Sequence, residues 1–133
     1  MIEQALVDYL NSQVSITSLI GGSKVYYSRA PSKAVMPFIT IKNAGGPRKK
    51  VTQYYTDADD TVTVYVDASN QFNGRAIAEA IMRALENYRG DMYPAQDVHI
   101  TLGSIRDLDG FQGTYRFILP VSILYKEITQ FPS

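Results

Sequence analysis

Arg48, Lys49 and Lys50 follow directly on Gly45-Gly46-Pro47 and precede the adjacent pair Tyr54 and Tyr55. Three consecutive cations behind paired glycines are the material of a phosphate cradle. With aromatic rings nearby they can also clamp a nucleic-acid strand or dock on another protein chain. Spacing argues against the first of these. Neither this stretch nor Gly21-Gly22-Ser23-Lys24 has the G-x-x-x-x-G-K-[ST] pattern, and neither lies between a buried strand and a following helix. The earlier glycine pair reads more simply as the stop of a helix.

Other chemistry finds less material. His99 is the single histidine, and strand parity sets it opposite Ile100 and Leu102, towards solvent. No G-x-S-x-G elbow supplies a nucleophile. Asp57, Asp59 and Asp60 form one acidic cluster, and Asp107-Leu-Asp109-Gly110 opens like a calcium loop. Its twelfth position is Ile118 rather than glutamate, so both clusters read as solvated carboxylates at strand ends. The absence of cysteine removes thiolate chemistry, disulfides and Cys-based zinc sites. The expectation is a protein that is not an enzyme and has no catalytic residue, cofactor or metal.

Charge balance then separates the two binding readings. Lys plus Arg and Asp plus Glu each number 13, so the basic excess of a dedicated nucleic-acid binder is missing. A small nucleic-acid-binding module using the Arg48–Lys50 loop remains the alternative. Tyrosine is abundant, at 10 residues with no tryptophan, and exposed tyrosine with arginine is the composition of protein contact surfaces. The N-terminal MIEQALVDYL lacks a basic leader region and does not read as a signal peptide. No apolar run approaches the roughly 20 residues of a membrane span, so no membrane partner is expected.

These groups need a scaffold, and 133 residues suit one domain, 1–133. Ile2, Ala5, Leu6, Tyr9 and Leu10 recur at helical spacing over residues 2–13, and a short apolar turn follows up to Gly21. Residues 24–28, 38–43 and 60–67 read as strands; in the last, Val62, Val64 and Val66 share one face. Asn70 or Ser69 can cap a helix over 71–89, closed by Gly90. Its apolar stripe is Phe72, Ile77, Ala80, Ile81, Ala84, Leu85 and Tyr88, and Arg75, Glu79 and Arg83 pair at (i, i+4) on the outer face. Strands over 98–107 and 115–126 close the chain, with Pro120 marking an edge or bulge. The pattern predicts an α+β domain: a mainly antiparallel or mixed sheet of about five strands, with two helices packed on one face.

The stretch between the second and third strands, Asn43 to Asp57, is about fifteen residues, long for a hairpin connection and therefore functional or disordered by default. Glycines at its start and mutual repulsion of its cations predict a segment poorly ordered until it meets a partner.

The order of elements resembles the tail completion, or tail terminator, proteins of long-tailed bacteriophages. The likeness runs from about residue 2 to 126. It rests on the opening IEQALVDYL helix, the YYSRAPSKAVMPFITI segment, the VTVYVDASNQFNGRAIAEAIMRALENYRG strand and helix, and the closing strands VHITLGSIRDLDG and TYRFILPVSILYK. The resemblance implies a non-enzymatic structural protein of a phage or prophage, forming a homo-oligomeric, typically hexameric, ring. Such a ring caps the finished tail tube and offers the head-tail joining surface. It implies the major tail tube protein and the head-tail connector as partners, with DNA only as cargo passing through the lumen. It also implies a place in the virion tail after assembly in the bacterial host cytoplasm. Arg48, Lys49, Lys50, Tyr54, Tyr55, Arg75, Glu79 and Arg83 are the candidate protein-contact residues.

Overall fold

A computed structural model describes residues 2–50, 55–86, 88–92, 95–109 and 114–128. Among these residues three helices and eight strands follow in the order α1 (Ile2–Asn11), α2 (Val14–Ile20), β1 (Val25–Tyr27), β2 (Phe38–Gly45), β3 (Arg48–Lys50), β4 (Tyr55–Ala68), α3 (Gln71–Leu85), β5 (Arg89–Met92), β6 (Ala95–Leu102), β7 (Arg106–Asp109) and β8 (Tyr115–Ile128). The α+β class is as expected, with a larger inventory than the five strands and two helices read from the pattern. The surplus strands β3, β5 and β7 have three or four residues each, too short to show a period, and the short apolar turn read before Gly21 is the seven-residue helix α2.

The sheet runs β1-β2-β4-β8-β6-β5, with β3 beside β4 and β7 beside β8. Among the described residues only β1 and β2 pair in parallel. The spine is the antiparallel pair β4 and β8, in register from Tyr55↔Ile128 to Ala68↔Tyr115. Period-two alternation sends Ala58, Val62, Val64 and Val66 of β4 and Phe117, Leu119, Val121, Ile123 and Tyr125 of β8 to one face, where all are buried. All three helices gather over that face: α1 against β1, β2 and β5, α3 across β4, β8 and β6, and α2 on α1 and α3. One continuous hydrophobic cluster results. Much of the opposite face lies open.

The helix ends follow local chemistry. Gly21 adopts φ 82° and donates its N–H to the Thr17 carbonyl, a left-handed stop for α2. The Asn70 side chain accepts from the backbone N–H groups of Phe72 and Asn73, capping α3. α3 ends at Leu85 rather than near Arg89, because residues 89–92 leave the helix to pair with β6 as β5. Phe72 does not join the buried stripe; it is 81% exposed. Five residues before Ile77, it lies roughly 140° round the helix from it.

Pro120 sits within the central β8, opposite Thr63, and not at the sheet edge. Its carbonyl accepts from Gly103 N–H at 2.8 Å, on the side away from β4. A residue's N and O point the same way in a strand, so the missing donor faces the gap at 103–105 between β6 and β7. The interruption lies in the neighbouring ladder.

Candidate functional site

The charged stretch is a β-ribbon, not a loose arm. Strand β4 begins at Tyr55, five residues before the Asp60 expected from the valine pattern, and β3 pairs with that added length as Arg48↔Ala58, Lys49↔Asp57 and Lys50↔Thr56. β2 and β3 lie consecutively along the same edge of β4, joined by a kink at Gly45–Pro47. Gly45 takes φ 78°, and a Cβ on Gly46 would run into the Asp59 carbonyl oxygen. The glycines allow that close approach. Pro47 keeps the ladder going by accepting from Asp59 N–H at 3.1 Å. The expectation of a poorly ordered segment fails for residues 43–50. The physical reason is that the cations lie beside an acidic strand, which offsets their mutual repulsion.

Asp60 is the centre of this arrangement and was misread as a solvated carboxylate. It lies on the inward parity of β4 and is fully buried. Arg48 donates to it twice, Nη1 to Oδ1 at 2.7 Å and Nη2 to Oδ2 at 3.2 Å. The Tyr125 hydroxyl donates at 2.6 Å and Asn43 Nδ2 at 3.2 Å. Burial alone would push the Asp60 pKa up, but the hydrogen bonds from Arg48, Tyr125 and Asn43 outweigh it and hold the group below the usual carboxylate range. Burial and the bond to Asp60 raise the Tyr125 pKa, keeping its hydroxyl a donor at neutral pH. Arg48 also reaches Glu127 at 3.5 Å. Sequence reasoning missed Asp60, Tyr125 and Asn43. The available signal was a carboxylate in phase with Val62, Val64 and Val66, which requires a buried partner.

Of the three cations, Arg48 is therefore engaged internally, while Lys49 and Lys50 stand exposed on the ribbon. That leaves the nucleic-acid alternative with two of its three cations. Tyr54 lies outside the described residues, and of Tyr55 the structure describes the backbone, which starts β4. The other candidates sit elsewhere, on the outer face of α3. Glu79 meets Arg75 at 3.4 Å and Arg83 at 3.7 Å, both at (i, i+4). Phe72 adds an exposed ring beside Arg75. His99 is half-buried on β6. Among the described residues no three His, Cys, Asp or Glu side chains gather as a metal site, and no helix is long and apolar enough to cross a membrane.

The model of the family "Tail completion protein gp17" matches residues 4–126. The chain belongs to that family. This tail completion protein is thus a structural protein of the phage virion tail. No curated protein matches its sequence. Among solved structures its fold is similar to a chain from the virion of a native gene transfer agent particle, at TM-score 0.68 and 17% identity, covering 94% of each chain. That likeness speaks for the fold. The family match spans both the ribbon at 43–58 and α3, so both candidate contact surfaces belong to the shared domain.

Proposed function

We propose that this tail completion protein assembles as a ring of identical subunits, six in number, that closes the finished tail tube and presents the surface on which the head connector seats. The family match over residues 4–126 carries this reading. The molecule supports it with groups suited to contact rather than turnover: an ordered ribbon bearing exposed Lys49 and Lys50, and a helix face bearing Phe72, Arg75, Glu79 and Arg83. The ring acts without catalysis, cofactor or metal, its partners are the major tail tube protein and the connector, and DNA meets it only as cargo in the lumen.

In this reading the ribbon, with Lys49, Lys50, Tyr54 and Tyr55, docks on a neighbouring subunit or the tube. Arg48 positions it by tying its base to Asp60. An isolated two-stranded ribbon is marginal in water, and the ion pair of Arg48 with the buried Asp60 supplies the tertiary tie that such a projection lacks. Native mass spectrometry of the purified protein, alone and mixed with purified tail tubes, tests the proposal. It predicts hexamers, formed unaided or on tube ends. A chain that stays monomeric and leaves tubes unbound contradicts it.

A further inference from the structure

A second charged feature lies on the sheet face opposite the helices, at the end remote from the ribbon. There the chain leaving β1 turns back over the sheet. Ser28 adopts φ 67°, a left-handed conformation costly for a non-glycine residue, and donates its N–H to the Ile41 carbonyl at 2.7 Å. Arg29 N–H donates to the Tyr27 carbonyl at 2.7 Å. This fixed turn walls a hollow of about 240 Å³ whose lining includes Arg29, Lys42, Tyr65 and Arg116. Thr40 and Asp67, on the same outward parity, are buried beneath it.

The charges in the hollow do not balance. Arg116 is held by Asp67 through Nε–Oδ1 at 2.8 Å and Nη2–Oδ2 at 3.1 Å, which raises its pKa and fixes the guanidinium in place. Its Cζ lies 5.0 Å from the Tyr65 ring centre, and Lys42 Nζ lies 5.6 Å from the same centre. Neither Arg29 nor Lys42 has an ion-pair partner among the described residues. Two positive charges are left over around a concave site, in a chain whose net charge is zero.

We infer that this hollow receives a carboxylate carried on an acidic side chain of a protein partner. The inference deepens the proposed function and rests on it, since the partner is another protein of the tail or the head-tail joint. Three observations select a protein carboxylate over a nucleic-acid phosphate. The hollow is walled on one side by the turn at Ser28, Arg29 and Ala30, which suits an inserted side chain rather than a tracking backbone. Tyr65 already attracts two cations and is not a free platform for a base. Further along the same face come the uncharged Thr63 and Thr61, and beyond them Asp57 lies between Lys49 and Lys126, so no continuous basic track leads from the hollow for a polyanion to follow.

Amide-resolved NMR titration of the intact protein at low salt tests the inference, with three probes: a capped tetraglutamate peptide, inorganic phosphate and a single-stranded oligothymidine. The peptide should give saturable shifts at Thr40, Lys42, Tyr65 and Arg116. Its affinity should fall at least tenfold in the Arg29→Ala/Lys42→Ala double variant and stay unchanged in Arg75→Ala. Arg29 and Lys42 are exposed, so unchanged shifts elsewhere will confirm that the double variant is folded. Tighter binding of phosphate or oligothymidine at the same residues overturns the protein assignment in favour of a phosphate ligand. Equal peptide binding by the double variant, or no saturable shift from any probe, overturns the site itself. The titration reads the lone chain, so such a failure leaves ring formation and tube closure standing as separate questions.

Discussion

Arg48 and Asp60, twelve positions apart in sequence, meet as a two-pronged ion pair in which the Asp60 side chain is fully buried and the Arg48 side chain is 40% exposed. One end of the contact belongs to the cationic ribbon and the other to the hydrophobic core. The pair converts a run of surface charge into a projection with a fixed direction.

Removing one partner of that pair leaves the other without its main contact. Arg48→Met should destabilise the fold by about 1–3 kcal/mol, less than for a wholly buried pair because Arg48 is partly solvated. Asp60 supplies the pH dependence. Its folded-state pKa lies below its unfolded value, so its contribution is complete above the unfolded carboxylate pKa of roughly 4 and is lost as pH falls through the folded value. Denaturant melts of the parent should therefore weaken below about pH 4, and Asp60→Asn should flatten that slope while lowering stability at pH 7. Identical slopes for parent and variant would mean that Asp60 is not the group responsible.

Gly46→Ala probes the kink independently of charge. A Cβ there meets backbone, the Asp59 carbonyl, which has little room to give way. The substitution should cost on the order of 1–3 kcal/mol and speed hydrogen exchange at Asp59 N–H, which bonds to Pro47. Unchanged protection at Asp59 would refute the close approach.

Helix α3 separates a buried face from a charged one. Leu85 is fully buried, so Leu85→Ala should cost about 2–5 kcal/mol through lost burial and the cavity left behind. The Glu79 side chain is 44% exposed, and Glu79→Ala should cost well under about 1 kcal/mol despite its two arginine neighbours. Comparable losses in the two melts would contradict this orientation.

The contrast between β4 and the ribbon shows what the sequence made legible. Val62, Val64 and Val66 alternate with polar residues, so the strand and its buried face follow from local periodicity. The Asn70 cap and the Gly21 stop were legible for the same reason: each acts within three or four residues. Asp60 was not, because its burial depends on a cation twelve residues earlier and a tyrosine 65 residues later. Gly45-Gly46-Pro47 carried the ordinary marks of a loop; only the nearness of Asp59 turns them into a kink within a continuing ladder. The pairing of Asp67 with Arg116, 49 residues away, was hidden likewise. Periodicity reports which face a side chain takes, and it is silent on distant charges that meet there.

If the ribbon docks as proposed, Lys49 and Lys50 should matter for assembly more than for folding. Both are exposed on β3, so Lys49→Glu/Lys50→Glu should change the melting midpoint little. In a complementation assay the double variant should give far fewer infectious particles than the parent. Full infectivity with a folded double variant would remove the ribbon from the list of docking elements.

Cryo-electron microscopy of tails assembled with and without this protein tests the ring directly. Complete tails should show a single six-fold ring of this fold at the head-proximal end of the tube, and tails assembled without the protein should show open tube ends that fail to join heads. Tails that join heads normally in its absence, or density for this fold away from the tube end, would contradict the proposed ring.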